Sequence, residues 1–418
     1  MIITRNITAM TAPDILPRFL AEPLVKATQV SPVAVITGAR QTGKTTLVRS
    51  TAALHHYAYA TLDDPDVYDQ ANEAPDDLIR RGSRLIVDEV QRSPDLLLAI
   101  KRAVDEDRVP GRFIVTGSAN LLLLHRISDT LAGRAVYLTL RPLTRLELLG
   151  MGETGCWELF FHMERTHWDR AVQNRIGPPQ DWIDIARRGG YPTAAYHMSR
   201  QADRDSWFAG YTATYVERDL QDLSAIEHLA DFRRLMRACC LRLGNLMNQA
   251  DLSRDVGVAP STAQRYLNLL ETSYQLIRIP AYSVNRTKRL TKSPKLYWTD
   301  TGLAMHVAGE TEPSGMHLEN LVVNELLAWK DSQVRPPEIL YWRTSKGAEV
   351  DFVIEWQGQL LAIEVKAARK VSYRDTRHLR TFLQEYEDVA RGGLVLYTGD
   401  EVYWLARDVL AVPWWMIF

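Results

Sequence analysis

Residues 33–50 read VAVITGARQTGKTTLVRS, and this stretch decides the fold. VAVIT (33–37) is a short apolar, β-branched run, the composition of a buried strand. It is followed at once by Gly38, Ala39, Arg40, Gln41, Thr42, Gly43, Lys44 and Thr45, and Thr46 continues into a helical stretch. The spacing G-x-x-x-x-G-K-[ST] between a strand and a helix is that of a phosphate-binding loop. Gly38 and Gly43 allow positive φ, which turns backbone N–H groups inward toward phosphate oxygens. The helix opening near Lys44 aims the positive end of its dipole at the same phosphates. Lys44 adds a point charge for the β- and γ-phosphates, and the Thr45 hydroxyl suits Mg²⁺. The expected ligands are therefore ATP and Mg²⁺, held by residues 38–46.

Around this loop, LIVD (85–88) is a second apolar run that ends in Asp88 and Glu89. Behind a phosphate loop, Asp88 is expected to hold Mg²⁺ through water and Glu89 to orient or deprotonate the attacking water. The plainer alternative is a strand ending in solvated carboxylates. FIVTG (113–117) runs into Ser118 and Asn120, candidates for the γ-phosphate or the water, with an ordinary turn as the alternative. LAGR (131–134) offers Arg134 as a cation for transition-state charge, in cis or from a neighbouring subunit, against a surface arginine. Strand-like runs at 33–37, 58–62, 85–88, 113–117 and 135–140 alternate with helical stretches. Residues 1–145 thus read as an α/β unit, a parallel sheet with helices on both faces.

Composition narrows the class. The 418 residues are 46% hydrophobic and 24% charged, ordinary for a soluble globular chain. A net charge of −1 excludes a whole-chain field for nucleic acid or membrane, so such a signal must be local. Cys156, Cys239 and Cys240 have neither metal-ligand spacing nor a disulfide framework, and the ten histidines show no zinc spacing. The N-terminus lacks a signal-peptide pattern, and no apolar run approaches ~18 residues, the length of a membrane span. A cytoplasmic protein with no membrane partner is expected.

Residues 146–230 read as a helical lid or linker, with a turn at GGYP (189–192) and a surface helix at YVERDLQDL (215–223). In 231–295, ADLSRDVG reads as a short helix ending at Gly257, and Pro260–Ser261–Thr262 open a second helix. A short helix, a tight turn and a longer helix form a helix-turn-helix pattern, and residues 275–298 could supply the strands of a wing. This segment holds twelve Lys/Arg against four Asp/Glu, about +8. Thr262, Gln264 and Arg265 are placed to meet base edges or phosphates, and Arg286, Lys288, Arg289 and Lys292 suit phosphate contacts from the wing. DNA is the expected partner; a packing module inside an ATPase is the alternative.

The last unit, 296–418, contains EVDFVIEWQGQLLAIEVK (349–366). Both halves alternate with period 2, which gathers the ionisable groups on one face of each of two strands. Gln357–Gly358 reads as a two-residue hairpin turn, and that register places Asp351 across from Glu364 and Glu349 across from Lys366. Opposed carboxylates have Cβ atoms ~4.5–5.5 Å apart and repel, so a cation should sit between Asp351 and Glu364. A divalent metal is the natural choice, with Glu319 on the preceding helix as a further ligand and Lys366 steadying the attacking water. Asp351, Glu364 and Lys366 then act as catalytic residues of a PD-(D/E)XK pattern. The alternatives are a solvated hairpin face or a nuclease fold that only binds.

GARQTGKT, LIVDEVQ, FIVTGSAN, LAGR, GGYP, YVERDL, KLYWTDTGLA, HLENLVVNEL, GAEVDFVIE and IEVK occur in this order along nearly the whole chain. In this the chain resembles a widespread family of prokaryotic AAA-like ATPases with a C-terminal domain of unknown function. The resemblance implies an AAA-like ATPase core, a winged-helix segment and a restriction-endonuclease-like C-terminal α/β domain. The expected function is ATP binding and hydrolysis coupled to action on DNA, with Mg²⁺-dependent cleavage governed by nucleotide state. The alternative is a nucleotide-switched binding or signalling module with an inactive nuclease-like domain. A ring-forming motor, a third reading, would need a homo-oligomer.

Overall fold

The expected strands form one five-stranded parallel sheet in the order β2-β3-β4-β1-β5: β1 (Val33–Thr37), β2 (Ala58–Thr61), β3 (Leu85–Asp88), β4 (Phe113–Gly117) and β5 (Ala135–Thr139). The computed structural model describes residues 15–118, 131–173, 179–214 and 228–418. All five residues of VAVIT are buried, because alternate side chains face different cores. Val33 and Val35 pack with the helix Pro94–Glu106, while Ala34 and Ile36 pack with the helices Ala21–Val30 and Lys44–Ser50. Burial on both faces is why these strands are continuous apolar runs rather than alternating ones.

The middle of the chain holds the expected pair of helices, Gln249–Val256 and Pro260–Thr272. Asn248 caps the first through its side chain, Gly257 ends it in the left-handed region, and Pro260 occupies the first turn of the second. β6 (Leu276–Ile279) and β7 (Lys295–Trp298) pair antiparallel, with the short helix Arg286–Thr291 in the connection between them. The surface helix expected at 215–223 lies outside the described residues.

The C-terminal unit is a mixed six-stranded sheet in the order β12-β13-β11-β10-β9-β8. Its strands are β8 (Glu338–Arg343), β9 (Glu349–Trp356), β10 (Gln359–Lys366), β11 (Ala390–Tyr397), β12 (Tyr403–Ala406) and β13 (Val409–Pro413). Period 2 again decides the faces. Phe352, Ile354, Leu361 and Ile363 pack under the helix Gly315–Ser332, and Val353, Leu360 and Ala362 pack against the helix Arg377–Glu385. Gln357 and Gly358 both take positive φ (52° and 80°), the geometry of a tight hairpin turn.

The boundaries differ from the sequence reading in one respect. Trp157, Phe160, Phe161 and Trp168, assigned to a lid or linker, are buried in the core of the C-terminal sheet with Leu361 and Ile363. Phe208 and Tyr211 instead join the core of the two-helix segment. The described residues of the 146–230 stretch are therefore divided between two cores, which explains its density of tryptophan.

Candidate functional site

Two sites emerge, and the first is the phosphate loop. Gly38 and Gly43 have positive φ (145° and 94°), as expected, and Gln41 joins them at 62°. A side chain at position 38 would place Cβ 2.1 Å from the Leu140 carbonyl oxygen, so only glycine fits. Lys44 is buried, with Nζ donating to the carbonyls of Gly38 (3.0 Å) and Ala39 (2.9 Å). Burial pushes its pKa down to about 8, against the pull of Glu89 and Asp88. Thr45 Oγ1 donates to Asp88 Oδ2 at 2.6 Å, so the two expected magnesium ligands are already adjacent. A hydroxyl and a carboxylate at the mouth of a loop lined by N–H groups form a hard-oxygen donor set that fits Mg²⁺ with a triphosphate.

Asp88 is held by two groups that the sequence did not announce. Tyr59 of β2 donates to its Oδ2 at 2.7 Å, and Thr116 of β4 donates to Oδ1. Glu89 sits in the left-handed region (φ 58°), a conformation that costs energy and here turns its side chain out of the strand direction. The Gln91 amide bonds both the Glu89 carboxylate and Ser118 Oγ (3.0 Å to the latter). Ser118 is thus brought to the site, while Asn120 lies outside the described residues. Arg40 and Gln41 are exposed, Thr42 is buried in the loop, and Thr46 is exposed in the first turn of the helix. Arg18 Nη1 donates to the Thr42 carbonyl at 2.6 Å and its Nε to Glu147 at 2.8 Å, bracing the loop from the N-terminal side.

Arg134 corrects the expectation of a cation acting in cis. β5 runs parallel to β1 with Ala135 beside Val33 and Thr139 beside Thr37. The loop leaves β1 after Thr37, so Arg134 stands at the opposite end of the sheet, roughly 16 Å along the strand at the usual rise per residue. Its guanidinium makes a two-point pair with Asp105, at 2.6 and 2.9 Å. It cannot reach the phosphates of its own loop.

The middle unit touches the loop directly. Ala39 is part of the core built by Tyr191, Phe208, Tyr266 and Leu270. Tyr274, just past the longer helix, donates to Thr37 Oγ1 at 2.6 Å. The four acids of 231–295 are all spent on local arginines: Asp231 on Arg234, Asp251 on Arg254, Asp255 on Arg242 and Glu271 on Arg278. Arg265, Arg286, Lys288 and Lys292 are exposed, whereas Thr262 and Gln264 are half-buried and Gln264 bonds Asn268. Arg289 departs from the expectation. It is buried beneath the strand connection, paired with Glu338 at 2.6 Å and stacked over Tyr282, and so is a structural cation rather than a surface one.

The second site is the carboxylate face of β9 and β10. The hairpin register runs as expected from Trp356–Gln359 to Phe352–Ile363, where the strand pairing ends, and beyond it the Asp351 carboxylate accepts the Val365 N–H at 2.9 Å. Glu319 arrives from the helix Gly315–Ser332 as foreseen. The cation among them is Lys295 of β7, which the sequence reading missed. Its Nζ lies 3.0 Å from Glu319, 2.7 Å from Glu349 and 3.3 Å from Asp351. Burial pulls the Lys295 ammonium down, but the charges of Asp351, Glu319 and Glu349 outweigh it and hold its pKa above the ordinary lysine value. Tyr297, two residues on and on the same face, donates to Glu319. The alternation Lys295–Leu296–Tyr297 was the available signal, but it lay in another unit of the chain.

Lys366 Nζ pairs with Glu364 Oε1 at 2.6 Å, and Glu349 pairs with Lys295 and Arg343 rather than with Lys366. Burial, then the Asp351 charge, raises the pKa of both Glu319 and Glu364. Among the described residues no three His, Cys, Asp or Glu side chains come together in a way that could hold a metal ion. The expected ligand set of Glu319, Asp351 and Glu364 therefore does not fit a divalent cation in this arrangement: an ammonium stands among the carboxylates.

An AAA domain model matches residues 30–149, and two domains of unknown function match 179–314 (DUF8612) and 314–417 (DUF4143). The uncharacterized protein Rv2008c of Mycobacterium tuberculosis is 32% identical over 406 residues, covering 95% of this chain and 83% of the relative. Mb2031c of Mycobacterium bovis matches with the same figures. Among solved structures, the Walker-type ATPase PABY2304 of Pyrococcus abyssi aligns over 70% of this chain and 99% of its own, at 14% identity and a TM-score of 0.43. Among the described residues no helix is long and apolar enough to cross a membrane.

Proposed function

The chain belongs to the family of the mycobacterial protein Rv2008c and carries an AAA-type P-loop ATPase domain, and from this we propose that it hydrolyses Mg-ATP and uses its nucleotide state to govern contact between its basic middle unit and DNA. The observation that carries the reading is the convergence of Lys44, Thr45, Asp88 and Glu89 at the mouth of the loop. Lys44 and the loop N–H groups bind the β- and γ-phosphates. Thr45 and Asp88 hold Mg²⁺, which neutralises charge on the phosphates when bound. Glu89 orients the attacking water and takes its proton.

The DNA part is supported by two features. With its four acids paired locally, the middle unit has more cations than acids, and although Arg286, Arg289 and Lys295 pair with acids of the C-terminal unit, Arg265, Lys288 and Lys292 remain exposed, which suits phosphate contact. The hydrogen bond from Tyr274 to Thr37 gives the two-helix segment a route to the loop. The test is duplex binding by the full chain with ATP, ADP or a non-hydrolysable analogue, beside Lys44→Ala. Affinity that changes with nucleotide in the wild type and not in the variant supports the proposal, and affinity indifferent to nucleotide in both refutes it.

A second reading, Mg²⁺-dependent cleavage at the C-terminal site, applies only to a state in which the Lys295 ammonium has left the carboxylates, and one observation favours it. Asp351, Glu364 and Lys366 share one region of the hairpin, and Glu364 Oε2 is buried without a hydrogen-bond partner. Plasmid cutting that vanishes in Asp351→Ala would establish it, and DNA binding without cutting leaves the switch reading. A ring-forming homo-oligomer is tested by sizing chromatography with and without ATP.

A further inference from the structure

We infer that Lys295 is the resident cation of the C-terminal carboxylate site, a tethered ammonium that takes the place a divalent metal would need. Three facts carry this. Lys295 is only 2% exposed, yet its Nζ touches carboxylates from three positions, Glu319, Glu349 and Asp351. A buried ammonium with three charge-assisted contacts has its three donors engaged, and removing any of them leaves a buried charge uncompensated. The remaining acids have their own cations, with Arg343 on Glu349 and Lys366 on Glu364. Four carboxyls, Glu319, Glu349, Asp351 and Glu364, thus meet three cations, Lys295, Arg343 and Lys366, which leaves at most one unbalanced negative charge against the two of a divalent ion.

The lysine and the carboxylates belong to different parts of the chain. Lys295 sits on β7, which is fixed by pairing to β6 and by a bridge to Leu246, whereas the acids come from β9 and the helix Gly315–Ser332. The ion cluster is therefore also the seam between the middle and C-terminal units. Entry of a metal requires the Lys295 ammonium to leave, so the ion contacts between β7 and these acids and metal occupancy of this site exclude one another. Glu364 Oε2, a buried acceptor without a partner, is a ligand that a metal would gain once the lysine leaves.

The test counts Mn²⁺ bound by the nucleotide-free full chain, using the loss of the free-ion electron paramagnetic resonance signal. This readout involves neither ATP turnover nor DNA, so its failure is separable from failure of the proposed function. Wild type and the double variant Asp351→Asn/Glu364→Gln are expected to bind the same amount. Lys295→Met is expected to gain one Mn²⁺ per chain, and Lys295→Met/Asp351→Asn to lose that gain. If Lys295→Met does not fold, Lys295→Met/Glu319→Gln removes one cation and one anion together, and the same gain is expected. A wild-type Mn²⁺ that disappears in the Asp351→Asn/Glu364→Gln variant overturns the inference. So does a folded Lys295 variant that gains nothing.

Discussion

The phenolic hydroxyl of Tyr274 donates to Thr37 Oγ1 at 2.6 Å, joining the end of the two-helix segment to the residue immediately before the phosphate loop. Tyr274 itself lies in the left-handed region (φ 61°), a strained position for a bulky residue that the surroundings must hold in place. Tyr191 and Tyr211 make a second buried link nearby, both accepting from the Gln275 amide. Movement of the loop on binding phosphate therefore meets the middle unit at once. Tyr274→Phe removes one hydroxyl and its hydrogen bond. It is expected to cost about 1 kcal/mol of stability. ATP affinity should be retained, while the difference in DNA affinity between ATP and ADP states shrinks. Titration of labelled duplex in each state measures it, and an unchanged difference would show that coupling runs elsewhere.

Lys44 gives a pH signature for nucleotide binding. Its ammonium is pushed down to about 8 in the free chain by burial, and a bound triphosphate must raise it again. Below about 8 the lysine is already charged. Above it, binding must take up a proton, so affinity falls as pH rises, by up to about tenfold per unit. Calorimetry in two buffers of different ionisation enthalpy at pH 9 should register that uptake. In Lys44→Ala the uptake and tight binding should both disappear, and retained turnover in that variant would remove the loop from the mechanism.

Glu89→Gln separates binding from chemistry. The carboxylate is the base in the proposed reaction and bonds Gln91, with only its charge felt at Lys44, so tight ATP binding should be retained. Turnover is expected to fall by a factor on the order of 10²–10⁴, the usual worth of a positioned base. Phosphate release under saturating ATP is the measurement, and wild-type turnover in the variant would assign the role elsewhere.

Legibility in the sequence followed how local each signal was. The strand before the loop, the turn at Gln357–Gly358 and the helix ends at Gly257 and Pro260 depend on residues a few positions apart, and each is where its sequence placed it. The reading of Arg134 as a cation acting in cis failed for a geometric reason. A motif next to a strand does not say which end of the sheet it occupies until strand direction and neighbours are fixed. Lys295 escaped because the need for a cation was correctly read from opposed carboxylates, while the residue that supplies it lies 56 positions away from Asp351. Alternation within one hairpin cannot name a partner from another unit.

The seam between the ATPase core and the C-terminal unit should report pH through Glu325. This carboxyl is fully buried on the helix Gly315–Ser332, with Oε1 accepting the Arg145 N–H at 2.7 Å and Oε2 without a partner. Burial, with the nearby Glu147 charge, raises its pKa from 4.5 to about 8. A raised acid binds more protons folded than unfolded, so stability is fully present below 4.5 and is lost as pH rises toward about 8. The steepest loss from one such group is about 1.4 kcal/mol per pH unit. Glu325→Gln keeps the shape and the acceptor for Arg145 while removing the ionisation. It is expected to unfold at similar denaturant concentration to the wild type near pH 5 and at clearly higher concentration near pH 9. Parallel curves for the two proteins across that range would mean that Glu325 is ionised throughout and finds its counter-charge in Arg145.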